Sequence, residues 1–138
     1  MSTPRAPQSV EVRLVEGATS GLASIVQQYL EQQLADSEDR RARAMRIRGR
    51  LGLTATDYGV AVTVHFAGSW IAISDGALEP LDASIAGPYL ALTELIQGRT
   101  NPLIEHLRGR LKVRSRLRNL FLPIRLHRLM RLSPEQAL

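Results

Sequence analysis

The chain has 138 residues, of which 44% are hydrophobic, 4% aromatic and 22% charged. That length suits one domain with its own core, and the small aromatic share makes the core largely aliphatic. Lys and Arg number 18 against 13 Asp and Glu, for a net charge of +5, and the absence of cysteine excludes disulfides and thiolate metal sites.

The opening MSTPRAPQSV (1–10) is small and polar, without the apolar stretch of a signal peptide. No apolar run approaches the ~20 residues of a spanning helix. The expectation is a soluble, cytoplasmic protein, with residues 1–16 as a flexible or extended lead and 17–138 as a single domain. Within the lead, Val10, Val12 and Leu14 alternate with Glu11 and Arg13, the period of a short strand.

Thr19 or Ser20 can cap a helix, on which Leu22, Ile25, Val26, Tyr29, Leu30 and Leu34 form one stripe. Asp36, Ser37, Glu38 and Asp39 then precede Arg40, Arg41 and Arg43. Acid first and base last suits the dipole of a short solvated helix better than a metal site. From Arg46 the period changes to two, with Ile47, Gly49, Leu51, Leu53 and Ala55 on one side. TDYG (56–59) turns the chain into Val60, Val62, Val64 and Phe66, and AGS (67–69) turns it into Trp70 to Ile73, ended by SDG (74–76). Leu81, Ala83 and Ile85 alternate as a fourth strand. This pattern predicts an antiparallel meander with one apolar face that another layer covers.

The segment IAGPYLALTELIQGRTNPLIEHLRGRLKV (85–113) predicts two short helices and a strand. Gly87–Pro88 opens the first, Leu92, Leu95 and Ile96 face inward, and Gly98 stops it. Asn101 caps the second, with Pro102 in its first position, Leu103, Ile104 and Leu107 inward, and Gly109 at its end. Leu111 and Val113 alternate with Arg110, Lys112 and Arg114 in a fifth strand. The segment RLRNLFLPIRLHRLMRL (116–132) then carries two apolar sets, one of Leu117, Leu120, Phe121 and Ile124, the other of Leu122, Leu126, Leu129 and Met130. Pro123 between them should kink or restart the helix. A helix lying on a simple core needs only one such face, so the second is apolar surface available to another occupant.

Catalytic signatures are missing: there is no GxSxG, GxGxxG, Walker-type loop or HExxH. His65, His106 and His127 fall on three different elements without metal-ligand spacing, and Ser69 and Ser74 sit in turns without a visible base. Neither catalysis nor a metal or cofactor is expected. Arg99, Arg108, Arg110, Lys112, Arg114, Arg116, Arg118, Arg125, Arg128 and Arg131 are opposed in their stretch only by Glu105, a balance that favours phosphates and anionic surfaces.

The order of elements resembles the sterol carrier protein-2 family. LDASIAGPYLALTELIQGRTNPLIEHLRGRLKVRSRL (81–117) and WIAISDGAL (70–78) carry the likeness, which extends over residues 20–132. Ser115 and Arg116 stand where that family commonly has a glycine–acid pair. The resemblance implies an α/β (α+β) fold: a five-stranded, mostly antiparallel sheet covered on one face by helices, with an apolar tunnel between the layers. It also implies non-catalytic binding, transfer or presentation of a lipid such as a fatty acyl chain, sterol or isoprenoid. Some bacterial members of the family look like accessory factors for polyprenylated quinone synthesis. On this basis Phe66, Ile71, Ile73, Leu92, Ile96, Leu107, Phe121, Ile124, Leu126, Leu129 and Met130 are the expected tunnel lining. Arg116, Arg118, Arg125 and Arg128 are the expected contacts of a polar headgroup. The alternative is a basic module that docks on an anionic membrane surface, an acidic protein or enzyme partner, or nucleic acid. Nucleic acid ranks last, because the arginines alternate with leucines rather than with stacking aromatics.

Overall fold

The computed structural model describes residues 10–35 and 37–131. Residues 1–9 of the expected lead, Asp36 of the acidic run and residues 132–138 lie outside the described residues. The period-two stretches form strands: β2 (Arg48–Ala55), β3 (Val60–Ala67) and β4 (Trp70–Asp75) are successive antiparallel neighbours. Two features depart from expectation. Val12 and Leu14 belong to β1 (Glu11–Leu14), an edge strand parallel to β4, so the sheet has six strands rather than five.

The meander also stops after β4. β5 (Ala83–Gly87) returns to lie parallel to β2, with Leu53 opposite Ile85, and β6 (Lys112–Ser115) closes the order β1-β4-β3-β2-β5-β6. A parallel neighbour requires a crossover, and residues 76–82 supply one across the outer face of the sheet. There the Thr63 hydroxyl donates to the Gly76 carbonyl at 2.7 Å and accepts the Leu78 amide at 2.9 Å. Leu81 lies over Gly52, where a Cβ would come within 2.8 Å of the leucine Cδ1 and would have to push that side chain aside.

Alternation sorts the two faces. The register aligns Leu14, Ile73, Val64, Leu51 and Ala83 in one row across five strands, and Val62, Leu53, Ile85 and Val113 in the next. This face meets the helices: α1 (Gly21–Ala35) over β1, β3 and β4, and α3 (Tyr89–Ile96) over β2 and β5. The opposite face is polar, with the Arg13 guanidinium 5.5 Å from the Trp70 ring centre and His65 edge-on to the same ring at 5.1 Å. The helical stripe behaves as its spacing predicts, burying Leu22, Val26, Leu30 and Leu34.

Side-chain caps start three of the helices. Ser20 Oγ accepts the Ala23 amide in α1, and Ser37 Oγ accepts the Arg40 amide in α2 (Glu38–Ala44). Asn101 accepts the Leu103 amide in α4 (Pro102–Leu107). Pro88 stands at the N-cap of α3, one residue before the position expected of it.

In α4 the expected inward face is reversed. Leu103, Ile104 and Leu107 are exposed, while Pro102 and Glu105 are buried. A six-residue helix has too little apolar surface to set its own rotation, and a charge pair sets it here. Glu105, only 3% exposed, has its Oε2 3.1 Å from Arg110 Nη1 beyond the glycine turn. His106 Nδ1 accepts the Val113 amide at 3.0 Å and fastens the same helix to β6.

Candidate functional site

Two regions carry the residues expected to bind: the apolar layer between sheet and helices, and the arginines around the last helix. After β6 the chain makes a 3-10 turn (Leu117–Asn119) and restarts as α5 (Leu122–Met130), with Pro123 in the first turn. Proline lacks an amide that would have no partner there, so it begins α5 rather than kinking a longer helix. The restart decides which apolar set goes inside. Leu122, Leu126, Leu129 and Met130 are buried, and α5 packs on β2, β5 and β6 and on the four other helices.

The other set stays outside. Leu117, Leu120 and Phe121 are exposed, and Ile124 is half-buried. Of the expected lining, Phe66, Ile71, Ile73, Leu92, Ile96, Leu126, Leu129 and Met130 therefore lie in the interior shared by sheet and helices. Leu107, 85% exposed, and Phe121, 62% exposed, lie on the surface. The reversed α4 accounts for Leu107, and the helix start at Leu122 leaves Phe121 outside the first turn.

The four headgroup arginines separate into two places. Arg118 pairs with Asp82 at 3.1 Å, and the second oxygen of Asp82 accepts the Arg50 amide at 2.9 Å. The Arg116 amide donates to the Asp82 carbonyl at 2.8 Å, and Asn119 Nδ2 donates to the Arg48 carbonyl at 2.7 Å. These contacts tie the 3-10 turn to β2 and engage Arg118 in an ion pair, while the Arg116 side chain is exposed.

Arg125 and Arg128 instead border a cavity of about 570 Å³ between α2 and α5, lined by Arg43, Arg46, Ile47, Arg125, Arg128 and Arg131. Guanidinium-to-carbonyl bonds hold α2 in position. Arg41 Nη1 donates to the Leu34 and Ala35 carbonyls at the end of α1, at 2.6 and 3.0 Å. Arg40 Nη2 donates to the Arg131 carbonyl at the end of α5, at 2.8 Å.

The field in this region is positive. Burial, then the nearby Arg131 and Arg43, lower the pKa of Arg40. Burial, followed by Arg131 and Arg128, holds His127 below the usual imidazole range, partly offset by a hydrogen bond with the Thr100 backbone. Sequence reasoning overlooked Arg43, Arg46 and Arg131 as companions of Arg125 and Arg128. Their signal was the spacing of three within each group, which stacks side chains on one side of a helix or turn.

A second, shallower cavity of about 460 Å³ lies at the ends of β5 and β6, bordered by Thr56, Pro88, His106, Arg110 and Lys112 among others. Among the described residues, no group of three His, Cys, Asp or Glu could hold a metal ion, and no helix is long and apolar enough to cross a membrane.

No known family profile matches the sequence, and no curated protein matches it. Solved structures do. A conserved hypothetical protein of Thermus thermophilus, described as possibly a sterol carrier protein, is 21% identical with a TM-score of 0.53, over 91% of this chain and 97% of its own. The ubiquinone synthesis protein UbiJ-SCP2 is 15% identical with a TM-score of 0.59, over 82% of this chain and 93% of its own. Palmitated SCP2L2 from Aedes aegypti is 11% identical with a TM-score of 0.57, over 83% of this chain and 97% of its own. The fold is that of the sterol carrier protein-2 domains, a mixed α/β arrangement of one open sheet with helices on one face.

Proposed function

We propose that the chain binds a lipid, such as a fatty acyl chain, sterol or isoprenoid, between its sheet and its helices, and carries or presents it without chemistry of its own. The observation that carries this reading is the shared fold with sterol carrier domains, one of which is palmitated. The make-up of the interior supports it. The buried layer is almost wholly aliphatic, with Phe66 the one aromatic among the buried hydrophobic residues described, a lining suited to an alkyl chain rather than a planar cofactor. With α3, the cover over β2 and β5 is α5, which also packs on β6; it is a nine-residue helix joined to the sheet through a 3-10 turn, a short element to displace when a chain enters. A chain of about sixteen methylenes transferred into such a layer gains roughly 10 kcal/mol before association costs, enough for micromolar binding without a catalytic group.

The test is native mass spectrometry of the purified protein with extraction of bound lipid, followed by titration with palmitate, cholesterol and farnesol. A co-purifying lipid, or uptake of one of these at micromolar concentration that Leu129→Trp abolishes in a folded variant, is the expected result. Failure of the protein to take up any of the three overturns the reading.

A further inference from the structure

We propose that the cleft between α2 and α5 is a binding site for a diphosphate group. Five guanidiniums border it, from Arg43 and Arg46 on one wall and Arg125, Arg128 and Arg131 on the other, over a floor formed by the buried Ile47. Elsewhere in the fold, arginines gathered near one another meet carboxylates: Arg108 and Arg110 meet Glu105, Arg110 also meets Glu94, and Arg118 meets Asp82. Among the described residues of the cleft, Arg43 alone has such a partner, Asp39 at 3.2 Å. Arg46, Arg125, Arg128 and Arg131 make no ion pair among the described residues.

Like charges converging on one concavity raise the free energy of the empty site, and α2 is bonded to the ends of both α1 and α5, through Arg41 and Arg40 respectively. Such a focused positive field favours a compact, highly charged anion. Each guanidinium fork matches two phosphate oxygens. Among the described residues, one carboxylate against five guanidiniums leaves an excess that a single carboxylate ligand would not balance and a diphosphate would. The cavity volume of about 570 Å³ exceeds what one phosphate fills and leaves room for the start of an attached group. Among the described residues no aromatic ring lines the cleft for a base to stack on, which disfavours nucleic acid.

The ligand is either a soluble diphosphate or the head of an amphiphile, since helical spacing puts the buried Leu126 and Met130 on the face of α5 opposite the cleft arginines. The site stands independently of the lipid reading, and isothermal titration of the full chain separates the two. Inorganic pyrophosphate tests the cleft alone, farnesyl diphosphate adds a chain, and palmitate tests the interior alone. We expect pyrophosphate to bind and to weaken with salt. The double substitutions Arg125→Gln with Arg128→Gln, and Arg43→Gln with Arg46→Gln, should each weaken it by about tenfold or more. Arg114→Gln, on the outer face of β6, should leave it unchanged. Tighter binding of farnesyl diphosphate than of pyrophosphate identifies an amphiphile head, and equal binding identifies a soluble diphosphate.

Palmitate uptake and the thermal melt, recorded on the same variants, show that the fold and the interior survive. Absence of pyrophosphate binding to the parent protein overturns the proposal, whatever palmitate does. So does undiminished pyrophosphate binding in both double variants, or binding to anionic vesicles or RNA without binding to pyrophosphate.

Discussion

Ser20 donates its hydroxyl hydrogen to Asp75 Oδ1 at 2.6 Å while its oxygen accepts the Ala23 amide at 3.1 Å. One side chain thus caps α1 and fastens its start to the end of β4. Asp75 Oδ2 completes the joint by accepting the Thr19 amide at 2.8 Å. Replacement of Ser20 by Ala should lower stability by about 1 kcal/mol, the usual loss for an N-cap, measured by urea unfolding.

The same joint has a pH signature. The Ser20 hydroxyl, then the Thr19 amide, hold the Asp75 carboxyl below its ordinary range. A carboxyl with a depressed folded pKa adds stability that is present above its unfolded value, about 3.9, and is lost as pH falls through the lower folded value. Asp75→Asn should remove that part of the acid limb of the stability profile. A variant whose acid limb matches that of the parent would contradict the assignment.

His127 acts in a different window. Its folded pKa lies below the ordinary imidazole value of about 6.5, through burial first and then Arg131 and Arg128. The unfolded chain therefore takes up the proton before the folded one does, so stability falls as pH drops from about 6.5 through the folded value and is retained above it. NMR titration should show the His127 resonances shifting below that of a free imidazole, and His127→Gln should flatten the profile in this range.

Gly98 and Gly109 share a φ of +78°, but only Gly98 is crowded: a Cβ there would meet the Met130 carbonyl, whereas at Gly109 nothing lies within 4 Å. Gly109→Ala should cost about 1 kcal/mol, from backbone strain alone. Gly98→Ala should cost about 2 kcal/mol or more and raise amide exchange in α5, because the end of that helix has to move. Equal costs at the two positions would show that α3 and α5 do not press on each other.

In α4, charge sets the rotation against apolar preference. Leu107→Lys, at a site 85% exposed, should change stability by less than about 0.5 kcal/mol. Glu105→Gln keeps the shape but removes the charge facing Arg110, and should cost about 1 to 2 kcal/mol. The reverse order in thermal melts would restore the leucine-inward helix that spacing suggests.

That contrast shows what was legible in the residues and what was not. Period and caps are local properties, so the α1 stripe, the hairpin strands and the Ser20 and Asn101 caps can be read directly. The return of β5 to the side of β2 depends on Thr63 and Gly52 receiving a loop from farther along the chain, which no local pattern records. The rotation of α4 follows from an ion pair formed across a turn. Two of the five cleft arginines were foreseen, Arg125 and Arg128, but α2 and α5 are remote in sequence and their meeting is a tertiary fact.

The two parallel pairings also bear on how quickly the molecule assembles. β2, β3 and β4 zip through tight turns, whereas β1 and β5 find partners only after long loops close, and loop closure is what slows folding. Docking of β1 is therefore expected to follow the rate-limiting barrier. Stopped-flow measurements on Val12→Ala should show faster unfolding at an unchanged refolding rate, and a slowed refolding arm would place β1 in the nucleus instead.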